Sequence, residues 1–401
     1  MSAAVVAGVP EGELGGAPNF SLTTGLKQLR KEIIAFAKSE LDDNTIIERD
    51  EKQQFAFDLW RKCGEWRLQG LAIGKDLGGL GLDALSTAVA LEGLGYACPD
   101  RGLAFSICAH MFACSMPIAR FGSDEQKRKY FPHLCDGSLI AVNAMTEPGS
   151  GSDAFAMKTT ALAENGGFRI TGFKTLLTNA PIAGLAVLYA MTDPARGYHG
   201  GVTAFIVDRN TPGYTCSESI HKMGLRTAMM GELRLDNLWI PESAVLGKVG
   251  GGSSIFTYSM EWERACLGGL HVGLMEWLLE RCIHHARTRK AYGEAIGKFQ
   301  GVSHKIADMK VRLEASRILL YRAASSLMGA QRSAATDICI GKLFVSESLV
   351  ESARDAVQIF GGHGFLTRNE IERAFRASTA GTLYSGSSEI QRNIVARWLG
   401  L

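Results

Sequence analysis

The stretch "FRITGFKTLLTN", residues 168–179, changes the rhythm of the chain. Its apolar and β-branched residues fall in the short, alternating pattern of a strand. Similar runs follow in "LAVLYAMT" (185–192), "VTAFIVD" (202–208) and "ELRLDNLWIP" (232–241). Turn signals bound them, notably Asn165-Gly166-Gly167 and Pro212-Gly213. These features predict a compact β domain over residues 141–251.

On either side the period is helical. Before it, "LKQLRKEIIAFAKSEL" puts Leu26, Leu29, Ile33 and Phe36 on one stripe. "QQFAFDLWRKCGEW" and "STAVALEGLGYA" continue the pattern, with the Gly-rich link "KDLGGLGLD" between them. A helical domain is expected over 20–140. After it, segments 253–287, 297–329, 334–360 and 369–398 read as long helices with short breaks, as in an antiparallel bundle. Residues 252–401 are therefore expected to form a four-helix bundle. The fold class is α+β multidomain, with a barrel- or sandwich-like middle domain.

Composition narrows the function. A chain of 401 residues suits two to four domains at ~100–200 residues each. The 46% hydrophobic content supports a large core that needs no staple. A net charge of +2 offers no phosphate-tracking surface, so nucleic acid is not an expected partner. Nine cysteines, an odd number without a C-x-x-C pair, point to reduced thiols and a cytoplasmic protein. His284 and His285 are adjacent, so on a helix they do not share a face, and zinc is not expected. "MSAAVVAGVPEGELGGAPNF" reads as a loose arm without a basic leader. No run is expected to reach the ~18 apolar residues of a membrane span.

One acid stands out. In "FTYSMEWERACLGGLHVGLMEWLL" (256–279), Met260, Glu263, Leu267, Leu270 and Leu274 recur at helical spacing on one apolar stripe. Glu263 therefore points inward, as a functional acid or as half of a structural ion pair. Glu261 points elsewhere, to solvent or to Arg264 at i+3.

Four further motifs are spaced along the chain: "AMTEPGSGSD" (144–153), "ARTRKAYGEAIGKFQ" (286–300), "QIFGGHGF" (358–365) and "GTLYSGSSEIQR" (381–392). The first is a Gly-rich loop whose N–H groups can approach a ligand closely. Arg289 offers a fork suited to two phosphate oxygens. Each has a plainer reading alone: a turn, a helix end, a helix stop. In the last, Ser387 or Ser388 can cap a helix and Glu389 favours its N-terminal end.

Taken together, and in this domain order, these motifs resemble the acyl-CoA dehydrogenase family from about residue 22 to 398. The resemblance implies FAD and an acyl-thioester substrate, carried by CoA or by an acyl or peptidyl carrier protein. It implies desaturation, with the α-proton going to an enzyme base and the β-hydride to flavin N5. Met145 and Thr146 would border the flavin ring. Gly151 and Ser152 would lie near its phosphates, Ser152 also near the pantetheine arm. "KTLLTN" (174–179) would cover one face, with Thr178 matching and Leu176 replacing the usual Trp. Arg289 would hold the pyrophosphate, with Tyr292 stacking or hydrogen-bonding on the cofactor and Gln300 completing the motif. Gln358, Gly361 and Gly362 would reach the adenine end from a neighbouring subunit, which implies a dimer or tetramer. Ser387 and Glu389 would touch FAD. Arg264, Tyr384, Ser385 and Gly386 would lie on the substrate side. Electrons would pass to an electron-transferring flavoprotein or another acceptor.

Ser385 departs from the pattern, because many members carry the catalytic glutamate there. The isovaleryl-CoA dehydrogenase-like branch instead places it on the helix after the β domain, immediately before an Arg. "ERACLGG" matches that placement and makes Glu263 the expected base. Ser385→Ala is then expected to be mild. Carrier-protein dehydrogenases of secondary metabolism, including those acting on prolyl thioesters, belong to the same likeness. A flavin monooxygenase or oxidase on this fold, and a non-catalytic helical binding protein, remain the alternatives.

Overall fold

A computed structural model describes residues 22–329 and 334–401. The N-terminal arm read from the sequence lies outside the described residues. Seven helices come first: α1 (Thr24–Glu40), α2 (Ile46–Lys52), α3 (Phe57–Glu65), α4 (Ala84–Ala97), α5 (Arg101–His110), α6 (Met116–Phe121) and α7 (Asp124–Leu134). Eight strands follow: β1 (Ala141–Ala144), β2 (Thr160–Glu164), β3 (Gly167–Thr178), β4 (Leu185–Met191), β5 (Val202–Asp208), β6 (Tyr214–Cys216), β7 (Met230–Pro241) and β8 (Val245–Leu246). Six helices close the chain: α8 (Gly252–Cys266), α9 (Gly268–Thr288), α10 (Gln300–Met328), α11 (Ala334–Phe360), α12 (Glu370–Ser378) and α13 (Ser388–Trp398).

The strands form one mixed sheet in the order β6-β7-β3-β2-β4-β5-β8, with β1 parallel to β4. Alternate residues of β4 serve two cores. Leu185, Val187 and Tyr189 join the helical core. Ala186, Leu188 and Ala190 pack with Phe168, Ile170, Leu233, Leu235 and Ile240 from the sheet's other strands. A strand buried on both faces reads as a continuous apolar run, which explains "LAVLYAM". The β3–β7 ladder slips between Lys174 and Leu177, and this bulge leaves Leu176 exposed at φ +57°.

The N-terminal and C-terminal helices meet where α4 crosses α9. A Cβ added at Gly95 would overlap the Leu270 carbonyl. One at Gly269 would overlap the Ala88 carbonyl, and one at Gly273 the Glu92 carbonyl. The backbones approach as closely as glycine permits.

Three expectations need correction. The helical segment 253–287 is divided at Leu267 into α8 and α9. The last segment is not one helix either: α12 stops at Ser378, and the chain loops back before α13. Gly381 packs against the His271 ring, and Ser385 and Gly386 take φ of +56° and +87°, which no helix accommodates. Third, α5, a π-turn at Met111–Ser115 and α6 form a single rod, Arg101–Phe121, long and apolar enough to cross a membrane. It is 89% buried inside the protein, so its apolar surface is already satisfied as a core helix. All nine cysteines are unpaired, and eight are buried.

Gly273→Ala should force α9 away from α4 and cost about 1–3 kcal/mol, as overpacking does. Thermal unfolding would show a lowered midpoint; an unchanged midpoint would mean that the crossing is looser than described.

Candidate active site

The apolar stripe of α8 and α9 is buried throughout: Met260, Glu263, Leu267, Leu270 and Leu274 all lie inside. Glu263 thus carries its carboxyl into the core. Burial pushes its pKa above the usual glutamate value; the Ser385 hydroxyl, Arg264 and Lys342 pull against that rise. The hydroxyl of Ser385 donates directly to Glu263 Oε1.

The two cations do not ion-pair with Glu263. Arg264 Nε donates to the Ser385 carbonyl at 2.7 Å. Lys342 Nζ, from α11, donates to the Gly386 carbonyl at 2.8 Å. Gln391 Nε2 reaches both carbonyls, at 3.2 and 2.9 Å. Burial, with Arg264 next to it, lowers the Lys342 pKa to about 8. Among the described residues no ion pair joins Arg264 to Glu261, which is half-buried and raised by burial.

A small cavity of about 30 Å³ is lined by Phe105, Leu270, His271, Leu274 and Tyr384, among others. The Tyr384 ring stacks on Phe105 with centroids 4.6 Å apart. Its hydroxyl meets His271 Nε2 at 2.6 Å. Burial first, and Lys342 second, drive the His271 pKa down to about 3, so the imidazole is neutral.

The Gly-rich loop after β1 is anchored by a residue pair that sequence reading missed. Glu147 accepts from the backbone N–H groups of Lys158 (2.6 Å) and Thr159 (3.0 Å) and from Lys174 Nζ at 2.9 Å. Lys174 Nζ also donates to the Met145 carbonyl at 3.0 Å. Burial raises Glu147, but Lys174 and the N–H donors outweigh it and hold the carboxyl below its usual value. Met145 is buried, Thr146 and Thr178 are half-buried, and Gly151 and Ser152 are exposed with Leu176. Asn143 Nδ2 donates to Ala113 at 3.4 Å, which joins β1 to the π-turn whose Cys114 faces Glu263. Ser387 caps α13, accepting from Ile390 N–H at 3.4 Å, with Glu389 exposed in the first turn.

The remaining candidates gather elsewhere. The imidazole of His285 stacks on Phe360 at 4.2 Å, locking the end of α9 to the end of α11. That contact groups Arg289, Gln358, Gly361 and Gly362. Tyr292 lies almost fully exposed at φ +51° on the hairpin that leads to Gln300. His271 and Arg289 bracket most of α9. At a rise of 1.5 Å per residue they are about 27 Å apart along its axis. The structure therefore separates the candidates into residues around Glu263, those on and near the loop pinned by Glu147 and Lys174, and a second patch at the far end of α9.

Three family models match the chain in order: the acyl-CoA dehydrogenase N-terminal domain over residues 23–138, the middle domain over 143–238 and the C-terminal domain over 250–400. The chain belongs to the acyl-CoA dehydrogenase family. An L-prolyl-[peptidyl-carrier protein] dehydrogenase of Pseudomonas fluorescens is 44% identical over 353 residues, 88% of this chain and 92% of that protein. Two solved structures superpose closely. The prolyl acyl carrier protein oxidase AnaB gives a TM-score of 0.92 at 43% identity, covering 95% of this chain and 100% of AnaB. PigA with FAD and proline gives 0.93 at 39%, covering 96% and 100%. This acyl-CoA dehydrogenase family member keeps a serine where many relatives are expected to carry an acid, and that serine is bonded to the acid it holds on α8.

Lys174→Met would strand Glu147 as an unpaired buried charge, at a cost of about 3–5 kcal/mol. Urea unfolding should show that loss at neutral pH. The loss should shrink on acidification below the ordinary glutamate range, because a carboxyl held low in the folded state stabilises above that range and not below it. An unchanged midpoint at pH 7 would mean that the pair does not anchor the loop.

Proposed function

We propose that this chain is an FAD-dependent dehydrogenase that introduces an α,β double bond into a small acyl group carried as a thioester, with a prolyl group on a peptidyl carrier protein as its leading substrate. The observation that carries this reading is the desolvated Glu263 carboxyl, touched by the Ser385 hydroxyl and, among the described residues, by no counter-ion. Glu263 takes the α-proton of the thioester, a hydride leaves the β-carbon, and the carbon–carbon double bond forms. A carboxylate does this best when burial raises its pKa towards the working pH. The prolyl-carrier relatives favour proline on a carrier as the acyl group.

The residues present suit FAD. The hydroxyls of Ser150 and Ser388 are buried without a hydrogen-bond partner. An added Cβ at Gly149, Gly151, Gly361 or Gly362 would meet nothing within 4 Å, so these backbones leave room for a close neighbour. Met145, Thr146, Leu176 and Thr178 offer an apolar and hydroxyl rim for a ring. Gly151, Ser152, Ser387 and Glu389 would lie around it, and the exposed Arg289 offers a fork for a pyrophosphate. When bound, FAD supplies the two-electron acceptor for the substrate's hydride. The second patch, with Arg289, Tyr292, Gln300, Gln358, Gly361 and Gly362, is too remote to complete the same chain's site and would serve a second copy, making the protein a homo-oligomer. Arg264 and Gly386 hold the loop on the substrate side, and Ser152 borders the path of a pantetheine arm. Electrons then leave to an electron-transferring flavoprotein; AnaB is an oxidase, which makes oxygen the acceptor to compare.

The test is anaerobic flavin reduction by prolyl-carrier thioester, with the CoA thioester alongside. Glu263→Gln should slow reduction by about 10²–10⁴-fold with FAD retained. Near-normal reduction would place the base elsewhere. Oxygen uptake matching turnover would replace the flavoprotein with oxygen as acceptor.

Arg289→Ala should lower FAD content and oligomer stability together, read by absorbance and sedimentation. Loss of FAD from one chain's own site without any change in assembly would argue against a shared site.

A further inference from the structure

The resemblance puts Ser385 on the substrate side, and the structure also bonds it to Glu263. This residue sits at φ +56°, a left-handed backbone that costs a non-glycine residue roughly 1–2 kcal/mol. Four hydrogen bonds hold the loop in that pose through its two carbonyls: Arg264 and Gln391 on Ser385, Lys342 and Gln391 on Gly386. The three donor residues come from three different helices, α8, α11 and α13. A helix N-terminus would not need this clamp, because Ser387 already caps α13. What the clamp accomplishes is to aim the Ser385 hydroxyl at Glu263 Oε1.

We propose that Ser385 is a positioning residue for the base: its hydroxyl fixes the orientation of the Glu263 carboxyl and favours its ionised form. The inference rests on the reading of Glu263 as the base. The groups that face Glu263 are Arg264 on its own helix, Lys342 from α11, Cys108 from α5, Cys114 from the π-turn, and Tyr384 and Ser385 from the loop. The two thiols and the phenol are held protonated by burial, which pushes all three well up, and they bring no charge. The cations are engaged with the loop carbonyls. Ser385 is thus the neutral group that donates to the carboxyl, and its removal leaves every nearby charge in place.

This division predicts a particular signature. A hydroxyl that donates to a carboxylate stabilises the charged form. Its loss raises the pH at which Glu263 ionises, so the base works in a smaller fraction of molecules at a given pH but recovers on alkalisation. A merely structural serine would lower the rate at every pH without moving the profile.

The experiment measures anaerobic flavin reduction against pH in the FAD-loaded enzyme for Ser385→Ala, Ser385→Gly and Ser385→Cys. Glycine relieves the backbone strain that alanine retains, so the pair separates loop distortion from the missing hydroxyl. The acid limb should move to higher pH by about one unit in both, as loss of one hydrogen bond to a charged group implies. Cysteine, a weaker donor, should move it less. FAD content should be unchanged. Independently of turnover, the protonated-carboxyl infrared band isolated by difference against Glu263→Gln should titrate about one unit higher in Ser385→Ala and Ser385→Gly than in wild type. An acid limb and band that stay in place in both variants would overturn the role of Ser385 while leaving the base intact. Wild-type reduction in Glu263→Gln would overturn the base itself, and this inference with it.

Discussion

A carboxyl has been carried into the core without a counter-ion of its own. That constraint organises the site. An arginine or lysine paired directly with Glu263 would hold it ionised and make it a weak base. Arg264 and Lys342 are near enough to temper the cost of burial, yet their hydrogen bonds go to two peptide carbonyls. The positive charge is spent on the shape of a loop, and a neutral hydroxyl is what touches the acid.

The surrounding fold can be understood as a scaffold for that arrangement. Glycines at the α4–α9 crossing bring the N-terminal helices against the C-terminal bundle at backbone contact distance. Phe105 from one side and His271 and Tyr384 from the other then meet in one cavity wall. The sheet is tied in through β1, whose Asn143 grips the π-turn. The same β1 leads into the Gly-rich loop pinned by Glu147 and Lys174. Helical domain, sheet and bundle each contribute a wall, and none makes the site alone.

Periodicity made the helix–sheet–helix order legible, because burial acts locally on every third or fourth residue, or every second. The same logic put Glu263 inside, on a stripe of Met260, Leu267 and Leu270. What lay beyond reach were contacts between residues far apart in sequence. Ser385 meets Glu263 across 122 positions, and nothing in "LYSGSSE" announces it. Glu147 is indistinguishable from any turn acid until Lys174 is seen beneath it. The broken last helix could have been suspected from Gly381 and Gly386, whose spacing interrupts an otherwise helical stretch. The rod from Arg101 to Phe121 is not legible in the sequence, because Ser106, His110 and Ser115 interrupt its apolar run and composition does not reveal helical continuity through Met111–Ser115.

The buried thiols give this protein an internal clock. A protonated thiol packed in the core reacts with an alkylating reagent only when its surroundings open, so its modification rate measures that opening. Cys108 and Cys114 are fully enclosed and face the acid of α8. Cys216, in the sheet, is half-exposed and marks the fast reference. Comparing the two classes by mass spectrometry separates breathing of the site from breathing of the surface, with no label to introduce. Any compound that fills the cavity beside Tyr384 would slow the first class and leave the second untouched, so the chain reports occupancy without turnover.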